Sequence, residues 1–177
     1  MLQYREINIE ELNRELFAAF KRHQVVTKCR RKENDKWIIK DAPFIDDWSD
    51  AEYDFLVTCL KNTISTGGFV YGVFSNGKLK GFASVEAELF GGEQKYLDLS
   101  SIHISEDMRG RGFGRELFLA AKKWAKAHGA EKLYISAHSA VETQEFYRKM
   151  GCVEAQVYDQ NHVAREPLDC QLECSLF

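Results

Sequence analysis

Apolar residues recur three and four positions apart in several stretches of the chain, the spacing of one face of an α-helix. The first stretch is Leu12, Leu16 and Phe20, which follows a capping pair formed by Asn8 and Glu11. A second helix is predicted behind the capping pair Ser49 and Glu52. Its apolar stripe and the glycines that end it are Phe55, Leu56, Cys59, Leu60, Ile64, Gly67 and Gly68.

Two more helices are predicted in the second half of the chain. One spans Gly112 to His128, with Phe113, Leu117, Ala121 and Trp124 on one face, and it ends at Gly129. The other starts at a capping pair formed by Ser139 and Glu142 and ends at Gly151.

Short runs rich in β-branched and aromatic residues predict the strands. Phe69–Phe74 and Leu79–Val85 flank Asn76-Gly77, which indicates a β-hairpin. Further strands are predicted at Tyr96–Ile104, Leu133–Ser136 and Cys170–Leu176, whereas residues 25 to 47 lack a regular pattern. This order predicts an α/β fold with a mixed, partly antiparallel and partly parallel central sheet flanked by helices. Two prolines, no linker and no repeat favour one domain over residues 1–177.

Composition narrows the classes of function. The formal net charge of −3 offers no basic surface for nucleic acid, and no apolar run is long enough to span a membrane. No secretion signal is recognisable at the amino terminus, so we expect a cytoplasmic protein. Five cysteines without a CxxC pair indicate free thiols and no metal site.

The candidate chemistry begins at a glycine-rich turn between a predicted strand and a predicted helix. It reads Arg109-Gly110-Arg111-Gly112-Phe113-Gly114-Arg115, and free backbone N–H groups and the helix dipole there favour an anion. A Walker loop would need Lys and Ser or Thr after Gly114, where Arg115 and Glu116 stand. A dinucleotide fingerprint would need glycine at position 115 or 117. The residues alone predict a phosphate cradle or a glycine-rich surface turn.

Two motifs together resemble the GNAT acetyltransferase superfamily. Arg109-x-x-Gly112-x-Gly114 is similar to the family's Arg/Gln-x-x-Gly-x-Gly/Ala signature, after a strand and at the start of a helix. Downstream, Phe146-Tyr147 on a helix closed by Gly151 resembles its second signature, at the usual distance. The resemblance covers roughly residues 68 to 157.

The resemblance implies a cosubstrate, acetyl-CoA, and residues to hold it. Its pyrophosphate would lie on the turn formed by Arg109, Gly110, Arg111, Gly112, Phe113, Gly114 and Arg115. Its pantetheine arm would pair with the backbone of Ile102, His103 and Ile104, between two splayed parallel strands.

The resemblance also implies direct transfer of the acetyl group to a primary amine. Tyr147 matches the tyrosine that protonates the leaving thiolate, and a packing tyrosine is the alternative. Asp98 is the candidate base, because strand alternation would place it on the face of Ile102 and Ile104. On this alternation His103 points away and is expected to be a buried structural histidine. Glu86 and Glu88 are the rival bases.

The acceptor is not specified by the sequence. A small-molecule amine and a peptide amino terminus both fit, a homodimer stays open, and a non-catalytic CoA-binding or interaction module is the alternative function. The segment from Asp41 to Asp54 mixes acidic and aromatic residues, which suits either a cationic acceptor or a solvated helix start. Ala140 stands where many relatives carry a CoA-contacting asparagine, so Ser139 or a water is expected to take over that contact.

Overall fold

The computed structural model describes all residues from 1 to 177. The strands are β1 Leu2–Glu6, β2 His23–Glu33, β3 Lys36–Asp47, β4 Phe69–Ser75, β5 Lys78–Val85, β6 Tyr96–Ile104, β7 Lys132–Ala137, β8 Val153–Glu154 and β9 Cys170–Ser175. The helices are α1 Asp50–Ser65, α2 Phe113–Ala127, α3 Val141–Lys149 and α4 Gln160–Arg165. None of these helices is both long and apolar enough to cross a membrane.

Seven strands form one sheet in the order β1-β4-β5-β6-β7-β9-β8, and β2 and β3 form a separate two-stranded sheet. In the seven-stranded sheet every pair is antiparallel except β6 with β7. The mixed α/β fold predicted from the order of elements is therefore confirmed. Helices α2 and α3 cover one face of the sheet, where Leu97, Leu117 and Tyr147 belong to the larger hydrophobic core. Helix α1 covers the other face, over Val70 and Phe82.

The sheet opens between its two parallel strands. The pairing of β6 with β7 runs from Tyr96 opposite Lys132 to Asp98 opposite Tyr134, and then stops. Strand β6 nevertheless continues to Ile104 and β7 to Ala137. Beyond Asp98 the facing backbone edges are therefore unpaired, which leaves a wedge-shaped cleft with its apex at this residue.

A β-bulge in β6 changes which side chains share a face. Ser84 lies opposite Ser101 but Val85 lies opposite Leu99, so Ser100 is an extra residue in the ladder. Because of this insertion, Ile102 and Ile104 pack against the same core as Leu99.

Three sequence predictions about secondary structure were wrong. The first helix is replaced by two short 3₁₀ segments, Ile9–Glu11 and Arg14–Phe17. Between them the side chain of Asn13 accepts a hydrogen bond from the Leu16 N–H at 3.0 Å, and this local bond replaces a helical turn. The capping pair Ser139–Glu142 does not form, because α3 starts one residue later with Ala140 at its N-cap.

Residues 25 to 47 were expected to be irregular but lie in a long hairpin, β2–β3. Asn34 and Asp35 form its turn, with φ angles of 49° and 60°, which asparagine and aspartate tolerate better than most residues. A register shift between Val26 and Lys28 interrupts the alternation of buried and exposed side chains. The pattern that identifies a strand is therefore broken in the middle of this hairpin.

Candidate active site

The glycine-rich turn has the backbone of an anion site. Gly110 and Gly112 have φ angles of 74° and 85°, a region that side chains other than glycine rarely adopt. Gly112 is the N-cap of α2 and supplies no capping side chain. The N–H groups of Gly110, Arg111 and Gly112 donate to no acceptor in the protein, and those of the first turn of α2 are free by helix geometry.

The arginine side chains of the turn lie apart from one another. Arg109 folds back, and its Nε donates to the Ile104 carbonyl at 3.3 Å. Burial, and next the nearby charge of Arg22, lower the pKa of Arg109. Arg111 and Arg115 are exposed, and Arg115 forms a surface ion pair with Glu116 at 3.2 Å. The backbone and the two exposed guanidinium groups are therefore the donors available to a pyrophosphate.

Ile102, His103 and Ile104 border the cleft with a free backbone edge. Their other edge pairs with β5, where Ala83 lies opposite Ile102 and Gly81 opposite Ile104. No strand pairs with them on the β7 side. An extended ligand could add there as a strand does.

Asp98 lies at the apex of the cleft, on the face opposite to the one expected. The bulge at Ser100 places Ile102 and Ile104 on the α2 side, whereas the Asp98 carboxylate meets His162 of α4. The alternation that put Asp98 on the face of Ile102 was therefore wrong. The His103 ring packs against Phe82 and Trp48, which lie on the α1 side of the sheet.

Asp98 and His162 form a largely buried, hydrogen-bonded pair. His162 Nε2 lies 3.0 Å from Asp98 Oδ2, and the two side chains are 17% and 14% exposed. The hydrogen bond to Asp98 raises the pKa of His162, against the opposing effect of burial. Asp98 Oδ1 is buried without a hydrogen-bond partner. No local pattern identifies His162, which lies 64 residues from Asp98 on a helix that was not predicted.

The ring of Tyr147 enters from the α2 side of the sheet. It belongs to the core and packs edge-on against Phe118. Burial is the main cause that raises the pKa of Tyr147, followed by the nearby groups Cys152, Asp169 and Asp98. Its hydroxyl makes no hydrogen bond within the protein, yet it is not among the fully enclosed polar atoms. The Tyr147 phenol is therefore protonated, and its O–H group donates to no acceptor within the protein.

Asp169, which precedes β9, is a second acidic neighbour that the sequence did not single out. Its carboxylate accepts a hydrogen bond from Ser136 of β7 at 3.0 Å. Burial raises the pKa of Asp169, and His138 and His162 partly offset this effect. Four ionisable side chains are thus close enough to act on one another electrostatically: Tyr147, Asp98, His162 and Asp169.

The rival bases differ in their surroundings. Glu86 follows β5 and accepts hydrogen bonds from Thr63 and Ser100, both at 2.7 Å. Glu88 is exposed. Burial, followed by the charges of Arg22 and Arg109, lowers the pKa of His103 to about 3, which leaves this ring neutral.

The start of α3 contains Ala140, at the position of the missing asparagine, and its neighbour Ser139. Ala140 is fully buried and bridges to Cys29 of β2. The hydroxyl of Ser139, expected as a stand-in for the missing asparagine, accepts a hydrogen bond from Arg31 instead. The β2–β3 hairpin therefore packs against the start of α3.

The acidic residues between Asp41 and Asp54 mostly have partners. Three form ion pairs, Asp41 with Lys28, Asp46 with Arg22 and Asp50 with Arg14, and Asp47 hydrogen-bonds to His23. Aromatic side chains of the segment also have partners, since Trp48 stacks on Phe20. This supports a structural reading of the segment over a site for a cationic acceptor.

Comparison with known proteins agrees with this architecture. A model of the acetyltransferase (GNAT) family matches residues 28–152. No curated protein sequence matches the chain significantly. Among solved structures, nourseothricin acetyltransferase has a TM-score of 0.71 at 16% identity, and 99% of each chain is covered.

Two other solved structures are similar over nearly their whole length and contain the cofactor. A protein assigned as a streptothricin acetyltransferase from Bacillus anthracis, in complex with acetyl coenzyme A, has a TM-score of 0.69 at 15% identity, with 98% of this chain and 96% of that chain covered. The PaiA N-acetyltransferase from Thermoplasma acidophilum, in complex with coenzyme A, has a TM-score of 0.61 at 14% identity, with 99% of each covered. The chain therefore belongs to the GNAT acetyltransferase family of acyl-CoA-dependent acyltransferases.

Proposed function

We propose that this protein, acting as a single domain, transfers the acetyl group of acetyl-CoA directly to a primary amine. The observation that carries the proposal is the joint position of three features around one cleft. These are the free N–H groups of the glycine turn, the unpaired edge of β6, and the acid–base groups at the apex.

The cosubstrate would lie along β6. Its pyrophosphate would accept hydrogen bonds from the backbone between Gly110 and Arg115, at the positive end of α2. The pantetheine arm would pair with residues 102 to 104 and carry the thioester towards Asp98.

The acceptor reaches the enzyme mostly as an ammonium ion, so a base must first take one proton. The Asp98–His162 pair would supply this base. The amine nitrogen then attacks the thioester carbon, the C–N bond forms and the C–S bond breaks. As the amide forms, the nitrogen releases its second proton to solvent. The departing thiolate takes a proton from the Tyr147 hydroxyl, and the Tyr147 phenolate regains one from solvent. The products are the N-acetyl amine and free CoA.

Carboxylates near the apex support a cationic acceptor, such as the ammonium form of a primary amine. Asp98, Asp169 and Glu86 border it, and such a site attracts a cationic group before its proton is removed. Nourseothricin and streptothricin appear in the names of two structural relatives, and they therefore join simple amines and peptides as test acceptors.

The test is release of free CoA from acetyl-CoA across that panel, with the wild type and Tyr147→Phe. We expect amine-dependent release by the wild type that falls strongly in the variant. Tight binding of acetyl-CoA without acetylation of any amine would instead favour a non-catalytic CoA-binding module.

A further inference from the structure

The two members of the pair at the cleft apex differ in their free polar atoms. Asp98 has one carboxylate oxygen against His162 Nε2 and the other enclosed by protein without a partner. Nδ1 of His162 has no hydrogen-bond partner in the protein and is not among the enclosed atoms. Nδ1 of His162 is therefore the free nitrogen of the pair, whereas both carboxylate oxygens of Asp98 are covered.

The imidazole is held firmly in this orientation. Its ring stacks on Tyr134 with centroids 5.5 Å apart and planes 21° from parallel. The backbone N–H of His162 donates to Asp159 at 2.9 Å, which caps α4. Tyr134 is itself fixed, because its hydroxyl accepts a hydrogen bond from the Asp159 N–H at 2.9 Å. These contacts hold the His162 ring, α4 and β7 in fixed positions relative to one another.

We propose that His162 is the general base of the transfer, and that Asp98 is a positioning residue that orients the ring and stabilises its protonated form. This inference rests on the proposed acetyl transfer and assigns the base within it. In the neutral ring, Nε2–H would donate to Asp98 Oδ2 and leave the lone pair of Nδ1 towards the acceptor. After accepting the amine proton at Nδ1, the imidazolium would pair with the Asp98 carboxylate.

The surroundings of His162 raise its pKa on balance, chiefly through the hydrogen bond to Asp98. The charged and titratable groups around it are Asp98 on β6, Tyr134 on β7, Asp159 and Arg165 on or beside α4, and Asp169 before β9. Asp98 and Asp159 favour the imidazolium, and Arg165 and burial oppose it. Asp98 has the largest effect, so its removal should make the ring less basic.

The test compares three histidine variants and Asp98→Asn at one saturating acetyl-CoA concentration. His162→Gln keeps a donor that can reach Asp98 but cannot take a proton. His162→Ala leaves a gap that added imidazole can fill. His128→Ala removes a histidine at the end of α2, bonded to the Trp124 carbonyl and outside the cleft, and serves as the matched control.

We expect His162→Gln to fold and to bind acetyl-CoA while turnover falls by about 10²- to 10⁴-fold, the usual loss when a general base is removed. Imidazole should restore turnover to His162→Ala and not to His162→Gln, and His128→Ala should match the wild type. If His162→Ala does not fold, the pH profile of His162→Gln tests whether His162 is the general base. In the wild type the acid limb of kcat/KM should report the titration of His162. In His162→Gln the limb should move up to the pKa of the acceptor ammonium, because only free amine then reacts, and in Asp98→Asn it should move to lower pH.

An active wild type with His162→Gln within twofold of it would overturn the assignment of His162 and leave the proposed function standing. An acid limb that moves up to the ammonium pKa in Asp98→Asn but stays in place in His162→Gln would identify Asp98 as the base and would also overturn it. A wild type that acetylates no amine would contradict the proposed function itself.

Discussion

Gly114 in α2 and Phe146 in α3 lie so close that a Cβ atom on residue 114 would come 3.2 Å from the Phe146 ring. The glycine motif and the Phe-Tyr motif therefore meet in one helix–helix contact. Phe146 fills the space that Gly114 leaves, and the next residue, Tyr147, turns into the core. The packing of two helices explains why these motifs occur together.

Gly114→Val should force these helices apart. Its branched side chain has no space against Phe146, and overpacking of this kind costs about 1–3 kcal/mol. Glu116→Val is the matched control, since Glu116 is exposed on the same helix. Chemical denaturation would measure both free energies of unfolding. Equal values for the two variants would contradict the close contact.

Gly112→Asp should abolish binding of acetyl-CoA. It adds a negative charge where the phosphates would lie, and the φ angle of 85° disfavours any side chain there. Gly129→Asp is the control, because Gly129 follows the other end of α2 and has a φ angle of 88°. Titration calorimetry on the folded variants should show loss of affinity for Gly112→Asp alone. Unchanged affinity would remove the turn from the cosubstrate site.

Tyr147→Phe should retain the fold and the affinity for acetyl-CoA but lower turnover by about 10²- to 10⁴-fold. The hydroxyl has no partner within the protein, so its removal leaves no buried group unsatisfied. Steady-state kinetics with circular dichroism would check both halves of the expectation. Turnover within twofold of the wild type would make Tyr147 a packing residue only.

The pair of His162 with Asp98 should make stability depend on pH. The folded-state pKa of His162 is raised above its unfolded value of about 6.5, so the pair stabilises the fold fully below that pH and less as pH rises through the raised pKa. The loss of unfolding free energy in His162→Gln should therefore be larger at about pH 5.5 than at about pH 9. Urea denaturation at both pH values would measure it, and a loss that grows with pH would contradict the ion pair.

Local signals in the sequence predicted much of the fold. Asn76-Gly77 indicated the β4–β5 hairpin, with φ angles of 50° and 76° in the structure, and Ser49 caps α1 as expected. The β2–β3 hairpin was missed because a register shift breaks its alternation. Such elements are recognisable only when the local pattern is uninterrupted.

The site was harder to predict because distant contacts create it. The bulge at Ser100 reverses the face of Asp98 relative to Ile102, and the sequence shows it only as two consecutive serines that interrupt the alternation of β6. His162 reaches Asp98 only through the packing of α4 on β7. The sequence could therefore propose Asp98 but not its partner.

Direct transfer at the cleft is tested most directly by a single-turnover experiment that follows the acetyl group by mass spectrometry. Enzyme in excess over acetyl-CoA is mixed with an acceptor amine found in the panel, and the masses of enzyme, amine and CoA are recorded with time. The expected result is an acetylated amine that appears together with free CoA, at a rate that rises with amine concentration, while the enzyme keeps its mass throughout. An acetylated enzyme that forms before the amine product, or CoA release without any acetylated amine, would contradict direct transfer.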